Sequence, residues 1–193
     1  MKLAERRGVP TVYQPAEDSH LLATTAADLL STDEFALEVG VGSGYVAEYV
    51  RDGVGARVVG CDINPDACQQ TRARGIPVVR GDLTEPFRAN SFDVVLFNPP
   101  YLPTPPEHEW DDPMEQALSG GEDGRRLVRP FLRDVGRVLR PDGRVYLLVS
   151  SLTDIDAVSD LAADAGFETR EVAEEPYPFE RLVVLELLTS IRE

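Results

Sequence analysis

The sequence predicts an α/β fold: a seven-stranded, mostly parallel sheet with helices on both faces and its last strand antiparallel. Three observations predict it. Short apolar runs alternate with stretches of helical periodicity, the pattern of strands joined by crossover helices. A turn with three alternating glycines follows the first run. Carboxylates then close three successive runs, at the end of such a sheet where ligands bind.

The strand-like runs are 35–39, 57–62, 76–80, 92–97, 144–150, 168–173 and 181–188. Helical patterns fill 45–52, 65–74, 125–139 and 154–165. A further helix over 19–30 precedes the first strand, with Leu21, Leu22, Ala26, Leu29 and Leu30 on one face and Asp18 or Ser19 as its cap. Pro65 suits a first helical turn after Asn64. Gly143 and Gly166 suit helix exits. The short segment EEPYPFE (174–180) joins the last two strands, which should therefore pair antiparallel. The chain reads as one domain, 1–193, with residues 1–33 forming an N-terminal segment and helix packed on it.

Of 193 residues, 34 are acidic and 19 basic, for a net charge of −15, and Lys2 is the one lysine. Phosphate contacts need cations, so this balance disfavours nucleic acid as a partner. An acid-rich, lysine-poor surface is also what salt-accumulating cytoplasms select. At about 1 M salt the screening length falls to about 3 Å, and the argument from charge weakens. No run is apolar over the length of a membrane span. MKLAERRGVP lacks the apolar core of a signal peptide, so a cytoplasmic location is expected. Cys61 and Cys68 are too few for a disulfide framework or a zinc site and read as buried thiols. No metal site is expected. His20 falls in a helix and His108 in a polar loop, neither in a catalytic setting.

In LEVGVGSGYVAEYV, Gly40, Gly42 and Gly44 tighten the turn and let a ligand approach the backbone. Residues 42–47 also match G-x-G-x-x-A, a dinucleotide fingerprint. Glu38 interrupts the apolar strand just before the loop. It would repel a pyrophosphate and accept a ligand with a cationic end. Asp62 closes the second strand, where a carboxylate takes both ribose hydroxyls, of NAD or of S-adenosylmethionine. Asp82 closes the third and can take the exocyclic amine of adenine, with Leu83 adding a backbone N–H and an apolar contact.

The fourth run stops in FDVVLFNPPYLPTPP. Pro99 and Pro100 hold φ near −65° and push Asn98 out of the helical region. The Asn98 side-chain oxygen and the Pro99 carbonyl then stand as fixed acceptors side by side. Together they can take both hydrogens of one planar –NH₂ and aim its lone pair across the pocket. Tyr101 offers a face on which a planar amide or base can stack. Such a corner catalyses by positioning and electrostatics, without a strong base. On the residues alone, an adenine amino-methyltransferase acting on DNA or RNA stays open. A nicotinamide-dependent dehydrogenase, which the glycine loop alone allows, leaves the corner unexplained; in a non-catalytic ligand-binding or scaffold protein the corner would be merely a turn.

VYQPAEDSHLL, LEVGVGSGYVA, CDINPDAC, GDL, LFNPPYLPT, SGGEDGRRLVRPFL and LRPDGRVYLLVSS together resemble the class I S-adenosylmethionine-dependent methyltransferases. More narrowly, they resemble the release-factor glutamine methyltransferases of archaea and eukaryotes. The resemblance implies S-adenosylmethionine as cofactor and S-adenosylhomocysteine as product. Ser19, Glu38, Gly40, Asp62, Asp82 and Leu83 would line its site, with Gly42, Gly44 and Asn98 beside them. It implies Asn98, Pro99, Pro100 and Tyr101 as the catalytic corner. The acceptor would be the glutamine of the Gly-Gly-Gln tip of the class I translation termination factor. Residues 116–126, with Gly120, Gly121 and Gly124, would close over that tip or serve as a mobile connector. Bacterial members carry a helical domain ahead of the catalytic one. Here the first strand begins near Phe35, so the docking surface must come from elsewhere. A small zinc-binding activator protein is the implied partner, in a heterodimer. The third strand would lie at the sheet edge, where Ile76-Pro77-Val78-Val79 could accept strand addition.

Overall fold

The computed structural model describes residues 11–105, 107 and 117–189. Its elements are α1 (Glu17–Leu29), β1 (Phe35–Val39), α2 (Tyr45–Val54), β2 (Arg57–Asp62), α3 (Pro65–Ala73), β3 (Val78–Arg80) and β4 (Phe92–Phe97). Then follow α4 (Val128–Val138), β5 (Leu139–Ser150), a 3₁₀ turn (Ser151–Thr153), α5 (Ile155–Asp164), β6 (Phe167–Tyr177) and β7 (Glu180–Thr189). The strands form one sheet in the order β3-β2-β1-β4-β5-β7-β6. The first five are parallel, and β7 runs antiparallel to both β5 and β6. The chain order reverses between β1 and β4, and that switch point opens the cleft at the carboxyl ends.

Both faces of the central strands are buried, which is why they read as near-continuous apolar runs. Leu37, Val39, Val95 and Phe97 join α4 and α5 on one face through Phe131, Val135 and Val158. Ala36, Val94, Leu96 and Leu148 join α1 and α2 on the other through Leu22, Ala26, Ala47 and Val50. Asn64 caps α3 by accepting the Asp66 N–H at 2.9 Å, with Pro65 in the first turn.

Four local expectations are corrected. Neither Asp18 nor Ser19 caps α1. The helix starts earlier, with Ala16 at the cap position, and the Asp18 side chain turns elsewhere. Gly143 is not a helix exit. It lies inside β5, after Asp142 at φ +65°, where the strand pairs irregularly with β4. The β6–β7 connection is only Pro178-Phe179, because Glu174–Tyr177 continue β6. β3 is the edge strand but starts at Val78. Ile76 is buried in the core, and the Pro77 carbonyl accepts the Gly60 N–H at 2.8 Å.

Candidate active site

Four neighbouring strand ends and the N-terminal segment build one cleft. The segment before α1 gives Val12, Tyr13 and Pro15. The glycine loop gives Gly40, Gly42 and Ser43, β2 gives Asp62, and the turn after β3 gives Asp82 and Leu83. The corner after β4 gives Asn98 and Pro100, and Ala117 and Leu127 close the wall.

Glu38 stands at the base of the cleft with 4% of its surface exposed. Its Oε2 accepts the Ala47 N–H at 2.8 Å, in the first turn of α2. Burial pushes its carboxyl well above the usual carboxylate range; the Ala47 hydrogen bond opposes this and the Asp62 charge adds to it. The two oxygens of Asp62 divide their work. Oδ2 accepts the Gly42 N–H at 2.9 Å and Oδ1 the Asn64 N–H at 2.8 Å. Burial raises this carboxyl too, against those backbone hydrogen bonds. A carboxylate has about four acceptor sites, so capacity remains for a ligand hydroxyl. Asp82 is exposed and reaches the same cleft, beside Leu83 at φ +44°.

Gly40, Gly42 and Gly44 all have positive φ. A Cβ at Gly42 would meet nothing nearer than 3.9 Å, so that backbone faces open cleft. Gly44 does something else and does not line the cleft. A Cβ there would lie 3.0 Å from Thr71 Oγ1 and 3.1 Å from Thr71 Cα. Its bareness lets α2 start hard against α3. Thr71 Oγ1 in turn donates to the Gly42 carbonyl at 3.2 Å.

At the corner, Asn98 Nδ2 donates to Asp18 Oδ2 at 3.1 Å. Asn98 Oδ1 is buried and has no hydrogen-bond partner among the described residues. An orphaned buried acceptor costs about 1–3 kcal/mol, which a ligand donor would recover. Pro99 is buried and Pro100 lines the cleft. Tyr101 faces an adjoining cleft instead, with Tyr13, Glu17, Asp18, Tyr177, Phe179 and Glu180. Burial and the Asp18 carboxylate push its phenol far upward, so it stays neutral. Phe179, at the hairpin tip above this second cleft, is 94% exposed.

The segment 117–126 is stitched to the chain beyond the corner. Leu102 N–H donates to the Leu118 carbonyl, Gly120 N–H to Leu102 and Thr104 N–H to Gly121, at 2.9–3.0 Å. A Cβ at Gly124 would lie 2.5 Å from the Tyr101 carbonyl oxygen. These contacts tie the segment to the chain on the far side of the corner. Gln116 and His108 lie outside the described residues. His20 is helical, as expected, and pairs with the Tyr45 hydroxyl at 3.0 Å. Sequence reasoning missed Asp18 and Tyr13. Their signal was present in VYQPAEDSHLL, where an acidic residue ahead of an apolar helical face reads first as a cap.

The glycine turn, the carboxylates at the strand ends and the sheet order together define a class I methyltransferase. Residues 37–99, from β1 to the corner, match the family model for a methyltransferase domain. The chain belongs to the protein-glutamine methyltransferase family that includes HEMK2. It is 36% identical over 182 residues to a protein N5-glutamine methyltransferase, MJ0928, of Methanocaldococcus jannaschii, covering 91% of each chain. It is 33% identical over 193 residues to methyltransferase HEMK2 of Homo sapiens, covering 93% of this chain and 90% of that one. Among solved structures, it is similar to the E. cuniculi Mtq2–Trm112 complex, described as methylating the eRF1 translation termination factor. The TM-score is 0.77 at 28% identity, with 94% of this chain and 100% of that one covered.

Proposed function

We propose that this protein methylates the side-chain amide nitrogen of the glutamine in the Gly-Gly-Gln tip of the class I termination factor. S-adenosylmethionine would be the methyl donor, and a small zinc-binding activator the partner in a heterodimer. The observation that carries the reading is Asn98 Oδ1, an acceptor buried without a partner among the described residues, on a side chain in the wall of the cleft.

The residues present fit the donor. Glu38 would receive its ammonium group and Asp62 its ribose hydroxyls, while Asp82 and Leu83 would hold the adenine. Ser19 and the bare backbone of Gly40 and Gly42 would pack against it. Gly44 would act at one remove, by seating α2. When bound, the cofactor supplies an electrophilic methyl group on sulfonium. Asn98 Oδ1 and the Pro99 carbonyl would each accept one hydrogen of the substrate –NH₂. The nitrogen lone pair then points toward the donor side of the cleft. Transfer of that methyl would convert R–CO–NH₂ to R–CO–NH–CH₃, leave S-adenosylhomocysteine, and release one amide proton to solvent. Pro100 would hold the corner rigid. Tyr101 would line the adjoining cleft, which would take the polypeptide on either side of the glutamine.

The acidic, lysine-poor composition supports work in a salt-rich cytoplasm. Among the described residues no helix is long and apolar enough to cross a membrane.

The test incubates the protein, with and without the activator, with methyl-labelled S-adenosylmethionine and either termination factor or DNA. Label on the factor, lost in Asn98→Ala, is expected. Label on DNA alone would overturn the substrate, and label on the factor that survives Asn98→Ala would overturn the mechanism.

A further inference from the structure

The catalytic corner and the N-terminal segment are joined through one carboxylate. We propose that Asp18 is a positioning residue for methyl transfer: it fixes which end of the Asn98 amide faces the substrate, and Tyr13 and Ser19 hold it in place to do so. The inference rests on the proposed role of Asn98 as acceptor for the substrate –NH₂.

An asparagine amide can present either its oxygen or its nitrogen to a pocket, and the two orientations differ little in shape. Here the chemistry of the neighbour decides. Asp18 is 4% exposed, and each of its hydrogen-bond partners among the described residues donates to it. The Tyr13 hydroxyl lies 3.2 Å from both of its oxygens. The Ser19 N–H and hydroxyl donate to Oδ1 at 2.6 and 3.2 Å. The place left on Oδ2 takes Asn98 Nδ2 at 3.1 Å. A carboxylate accepts and does not donate, so the nitrogen of Asn98 must face Asp18. Oδ1 is thereby left buried and, among the described residues, unpartnered, on a residue that lines the cleft. The flipped amide would set Asn98 Nδ2 against the incoming –NH₂, donor against donor. Ser19 also lines the cofactor cleft, so one anchor fixes the acceptor corner relative to the methyl donor.

The decisive experiment is a double-mutant cycle on the activator complex, with termination factor in saturating amount and single-turnover methyl transfer as the readout. Asp18→Ala should slow transfer at least tenfold in the wild-type background and cost nothing further in the Asn98→Ala background. A merely structural Asp18 would slow both backgrounds alike, and equal losses overturn the proposal. Where the Asn98→Ala background is too slow to assay, the exchanged pair decides. Asp18→Asn turns a donor toward Asn98, and Asn98→Asp sets two carboxylates face to face. Asp18→Asn with Asn98→Asp restores one donor and one acceptor, and should be at least tenfold faster than either single change. No recovery overturns the proposal. If the wild-type complex methylates DNA and not the factor, the functional reading fails. The same cycle on that amine then tests Asp18 separately.

Discussion

The Glu38 carboxylate accepts the Ala47 N–H at 2.8 Å, so the last acidic residue of β1 is tied to the first turn of α2 across the glycine loop. That bond stabilises a charge which burial disfavours, and burial prevails. The sign follows. A carboxyl raised above its unfolded value binds its proton more tightly in the fold. The stability this gives is full below the unfolded value and is lost as pH rises through the raised one. The melting temperature of the free protein should therefore fall as pH climbs through that window. A ligand with an ammonium group prefers the ionised form, so S-adenosylhomocysteine should bind more tightly over the same rise and release a proton. Methylthioadenosine, which lacks the ammonium, should show no such gain. Glu38→Gln should remove the pH dependence of homocysteine-adduct binding and weaken it about tenfold to a hundredfold, the worth of a charged hydrogen bond at about 1.5–3 kcal/mol. Titration calorimetry in two buffers of different ionisation enthalpy checks both.

Two glycines of α2 and its start should answer alanine in opposite ways. Gly44 has φ +81° and backs onto Thr71, so Gly44→Ala should cost about 1–3 kcal/mol. Gly53 sits inside α2 with nothing within 4 Å of a built Cβ. Gly53→Ala should stabilise by about 0.5–1 kcal/mol. Urea midpoints that move in these directions with an unchanged slope would bear this out. Gly44→Ala should also weaken cofactor binding, because Thr71 holds the Gly42 carbonyl.

β1, β2 and β4 are visible in the sequence to the residue, because each is buried on both faces and ends on a glycine turn, an aspartate or a proline. The ends of β5 and β6 are not. Leu139–Gly143 carries an arginine, a proline and an aspartate, and joins the sheet only through an irregular pairing with β4. Glu174–Tyr177 is held by its partner β7 and not by its own pattern. The cleft was legible where one residue type has one use, as with Glu38, Asp62 and the proline corner. Asp18 was not, because its partner Asn98 is 80 residues away. A local reading offers only the local use, a helix cap. Gly44 shows the same limit: a motif glycine reads as facing the ligand, and its contact with Thr71 appears only when α3 is folded against it.

Salt should stabilise this protein. A net charge of −15 on 193 residues makes long-range repulsion a standing cost of compactness. Its surface pairs, such as Arg181 with Glu171 and Glu174, are exposed and individually weak. Raising KCl from about 0.1 M to about 1 M shortens the screening length from about 10 Å to about 3 Å and removes more repulsion than attraction. The melting temperature should rise by several degrees, each kcal/mol being worth about 2–4 °C in a chain of this size. A fall would show that the specific pairs outweigh the net charge.

The edge strand β3 should dock the activator, over Val78–Arg80. The Pro77 carbonyl and the Gly81 N–H face β2, where they bond Gly60 and Asp62 at 2.8 and 3.0 Å. In a strand the alternate residues turn the other way, so Val78 and Arg80 direct their backbone groups outward. Among the described residues, the Val78 carbonyl accepts from the exposed Arg72 guanidinium, at 3.3 Å. Ile63 and Val79, 63% and 37% exposed, put apolar surface beside that edge. An added strand would displace Arg72, pair with Val78 and Arg80, and cover Ile63 and Val79. Arg80→Pro removes the outward N–H, and Val79→Asp places a charge on the covered surface. Each should cut co-purification with the activator at least tenfold while leaving S-adenosylhomocysteine binding in place, since neither side chain lines the cofactor cleft. Arg72→Ala frees the Val78 carbonyl and should leave docking intact or tighten it. Unchanged co-purification in both edge variants would move the activator to another face of the sheet.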